Sequence, residues 1–187
     1  QDLDDKNSKP FSIDFETLDK EKNSNNLLHK CFSKFDTSLK VFDLTAGFCK
    51  DACSIANMGF QVTAYEKESW LFEFNKTCLS SLKKSNLNLI NLNSIKALKK
   101  VTKKDILFLD PMFEINSRAS AKKEIQFLRK CISTSSEKEI LDAAQKSSAG
   151  VIIIKRHKLS NSQNPTRPSY VIKGVVISFE VFDRRAV

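Results

Sequence analysis

Residues 41–51 read VFDLTAGFCKD, and the fold of the chain follows from them. A short apolar run ends at Asp43, passes a single glycine, Gly47, and reaches a second acid, Asp51. This pattern predicts a parallel strand over 41–44, a loop that comes close to a ligand, and a helix whose free N–H groups point into a crevice. The segment therefore favours a nucleotide-type ligand, although an ordinary strand-loop-helix junction would also contain a lone glycine.

A third acid, Glu66, distinguishes this segment from an ordinary junction. Glu66 closes the next apolar run, QVTAYE, which we predict to be the second strand. A carboxylate at the end of the second strand, about 20 residues past the glycine loop, is placed to bind ribose hydroxyls. We therefore expect Asp43, Gly47 and Glu66 to belong to one cofactor site.

The composition indicates one basic domain. The chain has 187 residues, with 31 Lys and Arg against 22 Asp and Glu, a formal net charge of +9. Such a surface favours a polyanion, with nucleic acid ahead of an anionic membrane. A general enrichment in Lys and Asn would give the same charge without any partner.

The cysteines and the hydropathy pattern favour a protein of a reducing compartment. Five irregularly spaced cysteines do not suggest a disulfide framework, and two histidines complete no zinc pattern. No apolar run approaches the roughly 20 residues that span a bilayer, and the first residues are charged rather than signal-like. We expect a cytoplasmic monomer that holds no metal and does not enter a membrane.

The rest of the chain predicts an alternation of strands and helices after a polar arm. We interpret residues 1–38 as a partly disordered arm with a short helix at 27–35, and residues 39–187 as the main domain. Helices are predicted at 51–58, from Ser69, from Ile95, around 121–128, and after a capping box of Ser136 and Glu139. Strands are predicted at 41–44, 61–66, 87–92, 106–110 and 151–155, followed by an antiparallel pair in SYVI and VVISFEVF. This order indicates an α/β fold, with a mostly parallel sheet, helices on both faces and a crevice at the carboxyl ends of the strands.

The most informative loop follows the buried run ILFLD and reads Asp110-Pro111-Met112-Phe113. An acid, a proline and an aromatic residue at a strand end resemble the signature of S-adenosylmethionine-dependent amino-methyltransferases. An exocyclic base amine is a poor nucleophile, so its N–H groups must be held and its lone pair aimed at the methyl group. The Asp110 carboxylate and the Pro111 carbonyl can accept those N–H bonds, and Phe113 can stack on an extruded base. An ordinary strand end followed by a proline turn and a core Phe would have the same sequence.

Taken together, five segments resemble a single family, the bacterial small-subunit ribosomal RNA guanine-N2 methyltransferases of the J type. In chain order they are DLTAGFCKDACSIA, VTAYEK, LINLNSIKAL, LFLDPMFEINSRASAKKEI and VIIIKRHK. The resemblance covers residue 41 to the C-terminus. It implies a Rossmann-like class I methyltransferase fold with a seven-stranded sheet, S-adenosylmethionine as the cofactor, and ribosomal RNA or the small ribosomal subunit as the partner.

The resemblance also assigns roles to individual residues. The family's cofactor contacts fall on Lys50, Asp51, Glu66, Lys67, Asn93, Ser94 and Asp110. The catalytic residues would be Asp110, Pro111 and Phe113. Independently of the resemblance, basic residues that follow the catalytic loop or leave the fifth strand should rim the same crevice and bind the RNA backbone, although solvated lysines in a Lys-rich chain would give the same pattern. They are Lys122, Lys123, Lys155, Arg156 and Lys158.

Three departures from the family pattern bear on these roles. Cys49 stands where the family has a second glycine, and we expect its side chain to crowd the cofactor. Lys50 stands where the family has an arginine, which keeps the charge but loses a forked donor. A Gly- and Arg-rich segment before the first strand is replaced by EKNSNNLLHK.

The sequence supports one activity and leaves two alternatives open. The activity is methylation of the 2-amino group of a guanine in small-subunit ribosomal RNA. One alternative is a non-catalytic RNA-binding or ribosome-assembly protein on a degenerate methyltransferase fold. The other is an amino-methyltransferase that acts on another base or on DNA. Three acids at strand ends in a basic chain favour an enzyme.

Overall fold

The computed structural model describes residues 13, 15, 26–80, 82, 85–111, 137–158 and 166–185. Three predicted site residues, Phe113, Lys122 and Lys123, lie outside this part of the chain. So do the helix predicted around 121–128 and Ser136 of the capping box.

Helices and strands alternate in the described chain as the sequence predicts. The helices are α1 (Leu27–Phe32), α2 (Lys50–Asn57), α3 (Ser69–Leu79), a 3₁₀ helix (Ser94–Lys100) and α4 (Glu137–Lys146). The strands are β1 (Lys40–Asp43), β2 (Gln61–Glu66), β3 (Leu87–Asn91), β4 (Asp105–Leu109), β5 (Val151–His157), β6 (Tyr170–Lys173) and β7 (Ile177–Asp183).

All seven strands form one sheet in the order β3-β2-β1-β4-β5-β7-β6. Strands β1 to β5 pair in parallel, β7 pairs antiparallel with β5, and β6 pairs antiparallel with β7. The predicted fold is therefore confirmed, including the closing antiparallel pair. The strand order reverses between β1 and β4, so the crevice for a ligand lies beyond the carboxyl ends of these two neighbours.

The core explains why the central strands consist of unbroken apolar runs. In β4, Ile106 and Phe108 pack on one face of the sheet while Leu107 and Leu109 pack on the other, and all four are 0% exposed. Helices α1 and α2 contribute to the first cluster, and the 3₁₀ helix and α4 to the second. A strand covered by helices on both faces buries every side chain, so no polar alternation is expected.

The residues before β1 also contribute to this core. Ile13 and Phe15 are 8% and 2% exposed, and Leu28, Cys31 and Phe32 of α1 are buried in the same cluster. Asn26 caps α1, since its Oδ1 accepts the Leu28 N–H at 3.0 Å. The division between an arm at 1–38 and a domain at 39–187 stays a prediction.

Strand ends differ from their predicted positions by one or two residues. Strand β1 ends at Asp43, and the Leu44 N–H still donates to the Phe108 carbonyl at 3.0 Å. Strand β5 continues past Lys155 to His157 because β7 pairs with it as far as Ile177. Gly59 ends α2 with φ of +96°, as its position after the helix predicts.

Candidate active site

The glycine loop after β1 leaves open space beside its backbone. Gly47 has φ of +50°, a left-handed conformation that favours glycine. A Cβ built on Gly47 would meet only the Thr45 carbonyl oxygen, at 3.8 Å. The loop can therefore bring its backbone close to a ligand.

Glu66 lies at the end of β2, beside this loop, and is 6% exposed. Its Oε1 accepts the Glu68 N–H at 2.9 Å, and the Asn91 amide donates to the Glu66 carbonyl at 2.8 Å. Burial raises the pKa of Glu66, while the N–H groups of Glu68, Gly47 and Lys67 act to lower it. The carboxylate is thus oriented by backbone groups at the position where the sequence predicts a ribose contact.

Asn75 of α3 holds the glycine loop from the other side. Its Nδ2 donates to the Gly47 carbonyl at 2.6 Å, and the residue is 0% exposed. Asn75 was not predicted as a site residue from the sequence, although its spacing was a usable signal. It lies four residues after Leu71 and three before Cys78, on the inward side of an amphipathic helix where an apolar residue is expected.

Asp43 is almost fully enclosed at the end of β1. It is 2% exposed, and its Oδ1 accepts the Thr45 N–H at 3.0 Å. Burial raises the pKa of Asp43 to about 8, and the charges of Asp51 and Asp110 act in the same direction. Asp43 is therefore mostly protonated at neutral pH.

Asp110 follows β4 and is linked to both neighbouring strands. Its N–H donates to Thr45 Oγ1 at 2.7 Å, which joins the loops after β1 and β4. Lys155 Nζ of β5 lies 2.7 Å from Asp110 Oδ2 and 2.6 Å from Asp51 Oδ2 at the start of α2. One ammonium group therefore bridges two carboxylates at the point where the strand order reverses.

Charges and burial compete within this bridge. Burial raises the pKa of Asp110 to about 6, against the opposing effect of the Lys155 charge, and the Asp51 charge raises it further. Burial disfavours the Lys155 ammonium, but the Asp51 and Asp110 charges outweigh this effect and raise the pKa of Lys155. At neutral pH, Asp110 is an ionised acceptor beside a fixed cation.

Cys49 is enclosed beside the site, where the charges of Asp43 and Glu66 act on its thiol, and the expected crowding of the cofactor stays a prediction. It is 0% exposed and packs in the core cluster on the first face of the sheet. The departure from glycine affects the backbone, because Cys49 precedes α2 with φ of 57°. Residues other than glycine are disfavoured in this left-handed region.

The remaining predicted cofactor contacts take different positions. Ser94 is 5% exposed and its Oγ donates to the Leu44 carbonyl at 2.8 Å, which ties the 3₁₀ helix to the loop after β1. Asn93 is exposed and caps that helix, with Oδ1 accepting the Ile95 N–H at 3.1 Å. Lys50 is partly exposed at the first residue of α2, and Lys67 is exposed after β2.

The described basic residues that were predicted to bind RNA are either held in ion pairs or exposed to solvent. Arg156 is 5% exposed, and its Nε lies 3.2 Å from Glu180 Oε2 on β7. Lys155 binds the two aspartates of the bridge. Lys158 is exposed just after β5. Among the described members of this set, Lys158 is the one whose side chain is mainly solvent-accessible.

The described residues show neither a cluster of metal ligands nor a membrane-spanning helix. No group of three or more His, Cys, Asp and Glu side chains is arranged to hold a metal ion. None of the helices in the described ranges has the length and apolar character needed to cross a membrane.

Comparison with known proteins identifies the family and the fold of the chain. The profile of a family described as "Putative SAM-dependent methyltransferase" matches residues 2–184. A solved SAM-dependent methyltransferase from Neisseria gonorrhoeae superimposes with a TM-score of 0.66 at 20% identity, covering 97% of this chain and 78% of that one. The 16S rRNA N2 methyltransferase RsmC of T. thermophilus, solved with AdoMet and guanosine, superimposes with a TM-score of 0.60 at 15% identity, covering 88% and 43%.

Curated relatives share one name. A protein of Coxiella burnetii called ribosomal RNA small subunit methyltransferase J is 28% identical over 151 residues, covering 76% of this chain. The protein of that name in Buchnera aphidicola is 26% identical over 174 residues, covering 86% of this chain and 70% of the relative. The chain spans 59% of the length of the Coxiella relative.

Proposed function

Because the chain belongs to the putative SAM-dependent methyltransferase family, we propose that it methylates the exocyclic 2-amino group of a guanine in small-subunit ribosomal RNA. S-adenosylmethionine is the methyl donor in this proposal. The names of the curated relatives and the basic composition support the RNA substrate.

The observation that carries the proposal is the Asp110 carboxylate after β4. Its backbone is held by Thr45 and one of its oxygens by Lys155, at the carboxyl end of a central strand. This arrangement leaves the other oxygen to accept an N–H bond from a base amine. The Pro111 carbonyl is the second predicted acceptor, and it follows Asp110 directly in the chain.

The residues around the glycine loop fit S-adenosylmethionine. Gly47 has room beside its backbone, and Glu66 presents a carboxylate to a ribose diol at the adjacent strand end. With Asp43 mostly protonated, Asp51 and Asp110 outnumber Lys155 by one charge, which suits a ligand carrying a positive sulfonium. We assign the ribose to Glu66 and the backbone contact to the loop at Gly47.

The chemistry divides between the cofactor and the chain. When bound, S-adenosylmethionine supplies an electrophilic methyl group on a positively charged sulfur. Asp110 would hold the amine N–H groups and so keep the nitrogen lone pair aimed at that methyl group. The methylated nitrogen then releases one proton to Asp110 or to solvent, which leaves a neutral secondary amine.

Nucleoside analysis of a methylation reaction tests this proposal. The protein is incubated with labelled S-adenosylmethionine and, in parallel, with small ribosomal subunits, free ribosomal RNA or duplex DNA. Label in 2-methylguanosine supports the proposal. Label in another base or in DNA replaces it with the second alternative, and salt-dependent RNA binding without any label replaces it with the non-catalytic one.

A further inference from the structure

We propose that Lys155 is a positioning residue that keeps the Asp110 carboxylate ionised and in one orientation, so that a single carboxylate oxygen faces the substrate amine. The inference rests on the proposed function for its role in methyl transfer. The electrostatic part concerns the chain alone and is tested without cofactor or RNA.

Two sets of contacts fix Asp110. The N–H of Asp110 donates to Thr45 Oγ1 at 2.7 Å, which fixes the backbone. Lys155 Nζ donates to Asp110 Oδ2 at 2.7 Å, which fixes the side chain, and the same nitrogen donates to Asp51 Oδ2 at 2.6 Å. Both distances are those of charge-assisted bonds, which are about twice as strong as neutral ones. The Asp110 side chain is still 40% exposed, so its remaining oxygen can reach a ligand.

The charges around Asp110 come from four elements. Asp43 ends β1, Asp51 lies in the first turn of α2, Asp110 follows β4 and Lys155 lies on β5. Within the described ranges, Lys155 is the cation that acts on both Asp43 and Asp110. Without it, three carboxyl groups would face one another in a partly buried site, and like charges at short distance favour protonation of one of them.

Protonation of Asp110 would oppose the proposed chemistry. An ionised carboxylate accepts hydrogen bonds on both oxygens, whereas a protonated one carries an O–H donor and has less capacity to accept. The O–H of a protonated Asp110 would then be a second donor facing the amine N–H groups, which need an acceptor. Lys155 therefore serves the reaction through Asp110 and needs no contact with the substrate.

The direct test is a ¹³C NMR titration of the aspartate carboxyl groups in the ligand-free protein. The Asp110 resonance is assigned from its disappearance in Asp110→Asn. The wild-type midpoint is expected near pH 6. In Lys155→Met the midpoint should rise by about 1 to 3 pH units, because an opposite charge within bonding distance lowers an aspartate pKa by that amount. In Lys155→Arg, which retains a cation, it should stay close to the wild-type value. An unchanged midpoint in Lys155→Met overturns the proposal.

A second variant keeps the test valid if Lys155→Met does not fold. Asp51→Asn preserves the pair of Lys155 and Asp110 and removes the carboxylate that shares the ammonium. Since the Asp51 charge raises the pKa of Asp110, this change should move the Asp110 midpoint to lower pH. A midpoint that rises or stays constant in Asp51→Asn contradicts the shared bridge.

The pH dependence of kcat/KM separates positioning from a purely structural role. In Lys155→Met the acid limb should shift to higher pH together with the NMR midpoint. Loss of activity by the same factor at every pH indicates a structural role and overturns the positioning role. Wild-type protein that methylates none of the substrates refutes the proposed function, whereas the ligand-free titration still decides the inference.

Discussion

Asp43 and Asp110 illustrate how neighbouring strand ends give the same residue type different charges. Asp43 is 2% exposed, and burial raises its pKa to about 8. Asp110 retains an exposed portion and a bonded lysine, and its pKa is raised only to about 6. One of the two is mostly neutral and the other mostly ionised at pH 7. The crevice therefore carries less negative charge than its three aspartates suggest.

The free energy of unfolding should fall with rising pH because of Asp43. A carboxyl group with a raised pKa in the folded state binds a proton there that the unfolded chain has released. Its stabilising contribution is complete below the unfolded pKa near 3.8 and is lost as pH rises towards about 8. The predicted slope is about 1.4 kcal/mol per pH unit between the two pKa values and falls as pH approaches 8. Asp110, with a pKa raised to about 6, adds to the slope near pH 6, so a variant that lacks only the Asp43 carboxyl group is needed to isolate the Asp43 contribution.

Urea unfolding at pH 6 and pH 8 measures this contribution. Asp43→Asn retains an oxygen that can accept the Thr45 N–H and cannot ionise, so most of the pH dependence should disappear in this variant. The same slope in both proteins would show that Asp43 is not the group responsible.

Glu66→Gln should weaken cofactor binding in a calorimetric titration with S-adenosylhomocysteine. A hydrogen bond from a ribose hydroxyl to a carboxylate contributes about 1.5 to 3 kcal/mol. Glutamine keeps one acceptor oxygen and replaces the other by a donor, so the loss of one such bond predicts roughly 10- to 150-fold lower affinity. Glu68→Gln is the matched control, since Glu68 lies in the same loop, beyond the strand end. Equal affinities for Glu66→Gln and the wild type would remove Glu66 from the site.

Site residues could be predicted from the sequence where they directly follow a recognisable strand. Glu66 and Asp110 follow apolar strands, and the carboxyl ends of parallel strands form the crevice. Lys155 was predicted to bind RNA, and its bridging contacts depend on α2 and β4 coming together 104 and 45 residues away in sequence. Asn75 has the same explanation, because its partner Gly47 lies 28 residues earlier.

Within the described ranges, the turn into α2 carries the one non-glycine residue with a positive φ. Cys49 takes φ of 57° at the N-cap position, and no side chain caps the helix there. The Cys53 N–H donates to the Cys49 carbonyl at 2.9 Å, so the helix begins directly after a left-handed residue. That conformation costs an L-residue roughly 1 to 2 kcal/mol and costs glycine little.

At Cys49, a glycine variant should therefore be more stable than an alanine variant, which is the reverse of the usual order inside a helix. Cys49→Ala and Cys49→Gly both remove the buried thiol, but only glycine relieves the strained backbone. Cys49→Gly should be more stable than Cys49→Ala by about 1 kcal/mol in denaturant unfolding.

Ser54 supplies the control within the same helix. Its Oγ donates to the Lys50 carbonyl at 3.0 Å, and both Ser54→Ala and Ser54→Gly lose this bond. At this interior position alanine should be the more stable by about 0.5 to 1 kcal/mol. If alanine is also the more stable at Cys49, the backbone strain does not exist in solution.

Secondary-structure elements were predicted most accurately where their side chains are buried on both faces of the sheet. Strands β4 and β5 are apolar throughout because both faces of the sheet are covered, and their runs are unmistakable. The segment from Ile95 was predicted only as a short helix, and it belongs to a 3₁₀ helix that Ser94 ties to the loop after β1. That tie is a tertiary contact, which local periodicity does not encode.

The distribution of basic residues over the whole molecule bears on RNA binding. The chain carries a net charge of +9, yet Lys155 and Arg156 form ion pairs near or within the sheet. Lys158 lies beyond them, exposed after the strand that carries Lys155. We propose that the phosphate backbone meets this exposed side of the crevice.

Lys158→Ala should reduce the salt dependence of RNA binding. Each lost phosphate contact lowers the slope of log K against log salt by about one unit, without changing the affinity for S-adenosylhomocysteine. Lys40→Ala is the matched control, because Lys40 is exposed at the amino end of β1, on the opposite edge of the sheet. Equal slopes for both variants would indicate that the charge acts without a preferred surface.

The most direct test of the central claim compares wild-type protein with Asp110→Ala in the methylation of small-subunit ribosomal RNA. Each protein is incubated with S-adenosylmethionine carrying a deuterated methyl group, and the digested nucleosides are identified by mass spectrometry. We predict deuterated 2-methylguanosine with the wild type and at least about 100-fold less with Asp110→Ala, because an amine whose N–H groups are not held loses its orientation. Binding of RNA and of S-adenosylhomocysteine should change only modestly in the variant. Equal yields of 2-methylguanosine from the two proteins would contradict the assigned role of Asp110, and its absence from the wild-type reaction would contradict the proposed activity.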